Sequence, residues 1–234
     1  MTAKAARGEA DRLATPVVRP HETPWVSDLA IRVFDIVGAA LLTVLLSPLL
    51  LVVALLVRLD SRGPAIFRQE RIGRDLKPFR VAKFRTMREG VAADPHRAYV
   101  EEMIRKEAYD AKGEQKPMAK LQEDPRITKI GGFLRRTSLD ELPQLWNVLR
   151  GEMSLVGPRP PIQYEVDGYP ARAFRRFAVR PGVTGLWQVR GRSLVTFQKM
   201  IDLDIEYVEQ RSLLLNLKII LLTIPTVLHG KGAE

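Results

Sequence analysis

Residues 36–57 read IVGAALLTVLLSPLLLVVALLV, 22 residues without a charge and with Ser47-Pro48 near the middle. At about 1.5 Å per residue a helix of this length is roughly 33 Å long, close to the hydrocarbon thickness of a bilayer. Pro48 has no N–H to offer the Val44 carbonyl, and its ring presses on that turn, so a kink or break is expected there. The Ser47 hydroxyl can bond back to a carbonyl about one turn earlier and satisfy the acceptor that Pro48 strands. Each half is then only about 14–17 Å long. One topology is a kinked helix that spans the bilayer. The other is a re-entrant pair of half-helices that enters and leaves by the same face. Residues 1–35 carry five basic and five acidic side chains, and residues 58–77 carry six basic and three acidic. The positive-inside rule puts the C-terminal side in the cytoplasm and leaves the N-terminal side free to be there too.

Outward from this run, residues 1–24 are rich in Ala, Arg, Pro and Thr without a period, which predicts a flexible tail. The long polar lead and the missing small-residue cleavage site argue against a cleaved signal peptide. The expected organisation is a tail over 1–24, a membrane anchor over 25–60 and a cytoplasmic domain over 61–234. The fold class read from the pattern is α+β and mainly helical.

Within the domain, residues 65–71 and 78–84 flank Gly73-Arg74-Asp75 and read as a β-hairpin with a glycine turn. Residues 88–124 are a charged surface excursion that matches no motif. Residues 132–136 form a short apolar-basic segment. Residues 140–149 predict a helix with Leu142, Leu145, Trp146 and Leu149 on one face, stopped by Gly151. Residues 157–161, Gly-Pro-Arg-Pro-Pro, are a stiff loop, and residues 180–185 read as a type II turn with Gly182 at its third position. Residues 197–210 predict a helix. Residues 212–228 predict a second apolar helix, interrupted by Asn216 and Lys218, packed on the domain or lying at the membrane interface.

The chain of 234 residues has a net charge of +10 and no cysteine. Disulfides, thiolate metal sites and thiol nucleophiles are therefore excluded. His21, His96 and His229 have no metal-ligand spacing. The charge calls for an anionic partner. Residues 126–192 hold twelve basic and five acidic side chains. A solvated basic face or a contact with anionic lipid would account for this charge, but Arg159 sits between prolines and Arg180 precedes Pro-Gly, and oriented phosphate recognition gains from guanidinia carried on rigid turns. Lys83 and Arg85, at the end of the second strand, are further candidates. P-loop, dinucleotide and nucleic-acid motifs are absent from the sequence, so nucleic acid is not the expected partner.

The densest constellation is Arg135-Arg136-Thr137-Ser138-Leu139-Asp140-Glu141-Leu142-Pro143-Gln144. Asp140 can be an ordinary N-cap, or Ser138 and Glu141 a capping box. The same geometry would also favour ionised carboxylates, because a helix N-terminus and two arginines attract negative charge. A carboxylate nucleophile or a Mg²⁺ ligand needs that form.

Four ordered blocks carry a resemblance: Lys83-Phe84-Arg85-Thr86-Met87; residues 134–144; Arg150-Gly151-Glu152-Met153-Ser154-Leu155-Val156-Gly157-Pro158-Arg159-Pro160; and Arg180-Pro181-Gly182-Val183-Thr184-Gly185-Leu186-Trp187-Gln188-Val189. Together they resemble the bacterial sugar transferases, the monotopic polyprenyl-phosphate phosphoglycosyl transferases, in their compact exopolysaccharide-initiating form. The resemblance implies transfer of a sugar-1-phosphate from a UDP-sugar to undecaprenyl phosphate with release of UMP. It implies Asp140 as nucleophile and Glu141 as a second catalytic carboxylate, which either helps Asp140 hold Mg²⁺ or assists the attacking lipid phosphate. It makes Lys83, Arg135, Arg159 and Arg180 candidate phosphate contacts beside Arg85, and the anchor re-entrant at Ser47-Pro48. It places the catalytic domain on the cytoplasmic face of the inner membrane, in contact with lipid. A homodimer is compatible with the sequence, and the sugar is left open. The rival is a non-enzymatic, membrane-anchored basic protein that docks anionic lipid or a polysaccharide-assembly complex.

Overall fold

The computed structural model describes residues 25–88, 126–191 and 196–228. The expected tail over 1–24 and almost all of the excursion over 88–124 lie outside the described residues. The fold is α+β and mainly helical, as the sequence pattern predicts. The first element, α1 (Trp25–Asp60), is one helix of 36 residues with Pro48 inside it. The helical assignment runs through Ser47-Pro48, so the expected break does not interrupt the secondary structure. Ser47 Oγ donates to the Val44 carbonyl at 2.8 Å, satisfying the acceptor that Pro48 cannot serve. Among the described residues α1 is the one helix long and apolar enough to cross a membrane.

Both flanks of α1 pack on the rest of the protein, and its middle does not. Ala39 belongs to the main core with Val148, Met153, Leu155 and Tyr207. Val53 and Val57 form a second core with Phe84 and Leu134. Between them Leu41, Val44, Leu45, Leu51 and Val52 are exposed.

The hairpin forms as expected. Strand β1 (Ile66–Ile72) pairs antiparallel with β2 (Pro78–Phe84), Ile66 opposite Phe84 and Ile72 opposite Pro78. Its turn differs from the expected glycine turn. Gly73 has φ −106°, and the left-handed residues are Asp75 (φ 55°) and Leu76 (φ 60°) in the 3₁₀ turn Arg74–Leu76. Gly73 N–H closes this turn on the Lys77 carbonyl at 2.9 Å.

Helix α2 (Lys129–Thr137) absorbs the short apolar-basic segment and starts earlier, at a Thr128 cap whose side chain accepts from Gly131 N–H. A Cβ on Gly131 would sit 2.1 Å from the Thr86 carbonyl, so only glycine lets α2 start this close to the end of β2. The expected helix over 140–149 is shorter. A 3₁₀ turn, Leu139–Glu141, precedes α3 (Gln144–Arg150). Neither expected cap forms. The N-cap of α3 is Pro143, and Ser138, in the left-handed conformation, makes no side-chain cap bond. The physical cause is Pro143, which has no N–H to give the Leu139 carbonyl four residues back; that carbonyl instead accepts from Leu142 N–H by an i−3 bond at 3.3 Å. Leu145 is buried as expected, whereas Trp146 is 60% exposed.

Residues 157–161 are irregular, as expected. The expected type II turn is replaced by a strand: β3 (Ser154–Val156) pairs in parallel with β4 (Gly182–Thr184). Gly182 serves close approach, not a positive φ; a Cβ there would lie 2.0 Å from Gly157 N. Short helices α4 (Gln163–Asp167) and α5 (Leu186–Arg190) precede α6 (Phe197–Gln210), which has the predicted bounds. The last helix, α7 (Leu213–Leu228), exposes Leu214, Leu217 and Leu221. Asn216, which looked like an interruption in the sequence, is buried and accepts from Tyr207 Oη at 2.9 Å.

Candidate active site

The site is built on the turn between α2 and α3. The left-handed Ser138 ends α2 and turns the chain, and Asp140 and Glu141 follow in the 3₁₀ turn. Asp140 is 9% exposed, and Glu141 is half-buried. Asn147 ties α3 to the neighbouring strand. Its Oδ1 accepts from Ala82 N–H at 3.0 Å and its Nδ2 donates to the Arg80 carbonyl at 2.8 Å. Lys83 is the next residue of β2, and its Nζ lies 2.6 Å from Glu141 Oε1. The dyad turn and Lys83 therefore converge because one buried asparagine fixes the strand against the helix.

A second basic layer surrounds Glu141. Arg71, from β1, is buried and donates to Gln69 Oε1 at 2.7 Å and to the Pro160 carbonyl at 3.2 Å. Burial and the nearby Arg159 charge hold its guanidinium down at about 10, against the pull of Glu165, Tyr164 and Glu141. Arg159 pairs with Glu165 at 3.2 Å. The Glu165 charge, with Tyr169 and Glu141 behind it, raises the Arg159 guanidinium. Burial pushes the Glu165 carboxyl up, but Arg159, Arg71, the Ile162 N–H and Arg176 together hold it below the usual range. Glu141 thus lies in the field of Lys83, Arg71 and Arg159.

Arg176 anchors this layer from below. It donates to the Arg159 carbonyl at 2.9 Å, to Tyr169 Oη and to Asp204, and the Arg176 and Asp204 side chains are each 1% exposed. The Pro-Arg-Pro loop is therefore held by a buried ion pair as well as by its prolines.

The sequence candidates separate into groups. Lys83 touches the dyad partner Glu141, and Arg159 is within its electrostatic reach. Arg135 lies half-buried in the last turn of α2, just before the dyad. Arg85 is 4% exposed; it donates to the Ser61 carbonyl at 2.6 Å and lies over Gly63, in the connection between α1 and β1. Arg180 is at the far end of α3 from Glu141, with Nε donating to the Gly151 carbonyl at 2.9 Å. Burial and the Arg32, Arg74 and Arg211 charges lower its guanidinium. Sequence reasoning missed Arg71, Glu165 and Arg176. Arg71 lies in a charged strand that reads as a surface edge, and no local pattern marks its burial.

Among the described residues no three His, Asp or Glu side chains gather as a complete metal cage. The two adjacent carboxylates of the dyad fit a Mg²⁺ ion, which usually takes one or two carboxylates and completes its shell with substrate phosphates and water.

The bacterial sugar transferase profile matches residues 26–230. The chain is 40% identical to the exopolysaccharide production protein ExoY of Rhizobium meliloti, over 94% of this chain and 96% of that protein. It is 43% identical to the galactosyl transferase CpsE of Streptococcus agalactiae, over 88% of this chain and 44% of that protein. It is 44% identical to the UDP-glucose:undecaprenyl-phosphate glucose-1-phosphate transferase of Caulobacter vibrioides, over 88% of this chain and 72% of that protein. The chain thus spans less than half of CpsE and nearly all of ExoY.

Proposed function

The chain belongs to the bacterial sugar transferase family, and from that premise we propose that it transfers a hexose-1-phosphate from a UDP-sugar to undecaprenyl phosphate and so initiates a glycoconjugate repeat unit. The observation that carries the reading is the dyad turn itself: a largely buried Asp140 beside Glu141, with Lys83 2.6 Å from Glu141 and Arg71 and Arg159 within its field. Phosphoryl transfer depends mainly on positioning and charge neutralisation, which this arrangement supplies.

In the first step a carboxylate oxygen of Asp140 attacks the β-phosphorus of the UDP-sugar. The bond to the bridging oxygen breaks, and UMP leaves with the electron pair. In the second step a phosphate oxygen of undecaprenyl phosphate attacks the phosphorus of the aspartyl phospho-sugar. The P–O bond to Asp140 breaks, and the free carboxylate returns. Division into two steps avoids a direct encounter of two bulky anions. Lys83, Arg71 and Arg159 orient the donor phosphates. Mg²⁺, held by Asp140 and Glu141, supplies charge neutralisation when bound. The relatives are named for both galactose and glucose transfer, so the donor is a UDP-hexose of that class. Purified protein given a panel of UDP-hexoses and undecaprenyl phosphate is expected to release UMP and form the lipid diphosphate sugar with one donor preferred. No product with any donor would overturn the proposal.

The anchor is re-entrant in this reading, with the domain on the cytoplasmic face of the inner membrane. Arg32 and Asp35, before the apolar run, and Asp60, after it, all bond to the domain that carries the dyad, while the apolar middle is exposed. A helix that crossed the bilayer would carry one of these polar ends away from that domain. The chain has no cysteine, so single Thr2→Cys and Ala233→Cys variants report topology. Both are expected to resist a membrane-impermeant thiol reagent in intact cells and to react after permeabilisation. Labelling of the Thr2→Cys variant from outside would establish the spanning topology instead.

A further inference from the structure

The two ends of α1 grip the two outer ends of the helix pair that carries the dyad. At the start of the pair, Asp60 Oδ2 accepts from Ile130 N–H at 3.0 Å, in the first turn of α2. At its close, Arg32 donates to the Val148 carbonyl at 2.8 Å and to the Leu149 carbonyl at 3.1 Å, in the last turn of α3. A carboxylate thus meets the electropositive end of α2, and a guanidinium meets the electronegative end of α3. The Asp60 contact satisfies an orphan N–H, the Arg32 contact serves the Leu149 carbonyl and adds a second donor to the Val148 carbonyl beside Gly151 N–H, and both follow the helix dipoles. Asp140 and Glu141 lie between these two grips. Asp35 adds a third hold, accepting from Ser154 Oγ at 2.9 Å and Leu155 N–H at 2.9 Å just beyond α3.

We propose that Arg32 and Asp60 are positioning residues that set the height of the dyad relative to the lipid phosphate. The proposal rests on the two-step reading above and deepens it. The donor is soluble and reaches Asp140 by diffusion, whatever the height of the turn. The acceptor phosphate is held at headgroup depth by its own lipid tail. Only the second step therefore requires the dyad at a set distance from the membrane. The anchor helix is the one described element that both carries the long apolar run and touches each outer end of the dyad's helix pair. Loosening either grip leaves the donor step intact and impairs the acceptor step.

The test separates the two half-reactions in lipid nanodiscs. UMP release in a single turnover without acceptor reads the first step. Sugar-phosphate transfer to undecaprenyl phosphate reads the second. Asp60→Ala and Arg32→Met are each expected to keep the UMP burst and the donor KM within about twofold of wild type. Each is expected to lower transfer by at least about tenfold. Asp60→Asn keeps an oxygen for Ile130 N–H and is expected to fall between Asp60→Ala and wild type. A parallel loss of both half-reactions, tracking a fall in melting temperature, would assign these residues a merely structural role and overturn the proposal. Unchanged transfer in both variants would overturn it as well. A wild-type protein that transfers sugar phosphate without any burst would instead remove the two-step reading, and this inference with it.

Discussion

Asp140→Asn is expected to abolish UMP release from the UDP-sugar, with and without undecaprenyl phosphate, while the protein remains folded. The substitution is nearly isosteric but removes the charge and the nucleophilic oxygen pair. Loss of a covalent nucleophile lowers turnover on the order of a thousandfold or more. The stability change should stay within about 1 kcal/mol, the scale of a single hydrogen bond, because the amide keeps the shape of the carboxylate and one acceptor oxygen. Glu141→Gln should behave differently. It removes the partner of Lys83 without removing the nucleophile, and that pair is about a third exposed on each side. A pair this exposed contributes under about 1 kcal/mol to stability. The rate should therefore fall, but a covalent adduct on Asp140 should still form. Intact-protein mass spectrometry under single-turnover conditions reads both variants. Wild-type protein and Glu141→Gln should carry the added hexose phosphate, and Asp140→Asn should not. An adduct that persists in Asp140→Asn would move the nucleophile elsewhere. A wild-type chain without any turnover would favour the rival reading, a basic membrane-anchored docking protein.

Elements marked by local chemistry were legible in the sequence. The apolar run, the β1–β2 hairpin, α6 and α7 follow from composition and periodicity. Ser47 serves the Val44 carbonyl because Pro48 leaves that acceptor stranded, an outcome contained in two adjacent residues. What escaped depended on partners distant in sequence. Gly182 looks like a turn glycine beside Pro181, yet its bareness serves the parallel partner strand at Gly157. The dyad turn resembled a helix cap because Ser138, Asp140 and Glu141 are capping residue types. Pro143 instead made the chain close by i−3 bonds. Lys83 was recognisable as a basic residue, but its pairing with Glu141 is produced by Asn147, which binds β2 from α3. Arg85 and Arg180 look alike in sequence to Lys83 and Arg159. Three-dimensional placement separates them, one at the root of the anchor and one at the far end of α3.

Arg176→Met is expected to have the largest effect on stability, and its cost should depend on pH. Arg176 and Asp204 form a pair with 1% exposure on each side. Removing one member of such a pair costs about 3–5 kcal/mol, because the remaining charge is buried without compensation. Burial already pushes the Asp204 carboxyl up to about 6, against the opposing pull of Arg176 and Arg159. An acid whose folded pKa exceeds its unfolded value of 3.8 binds its proton more tightly when folded. Its contribution to stability is present below the unfolded value and is lost as pH rises through about 6. Without Arg176 the folded value rises further, so the loss extends to higher pH. The difference between wild type and Arg176→Met should therefore be larger at pH ~8 than at pH ~5. Glu165 is also held low by Arg176, so its release in the variant acts in the same direction, and only weakly because Arg159, Arg71 and the Ile162 N–H hold it as well. Adding Asp204→Asn removes the stranded charge and should restore more than half of the loss at pH ~8. Thermal melts of the three variants in one detergent check this directly. A penalty equal at both pH values, with no recovery in the double variant, would assign the loss to packing over the Tyr169 ring. Because Arg176 also holds the Arg159 carbonyl, the single variant should raise the donor KM even where it remains folded. That rise would show that the buried pair serves the site through the Pro-Arg-Pro loop, at a distance from the dyad.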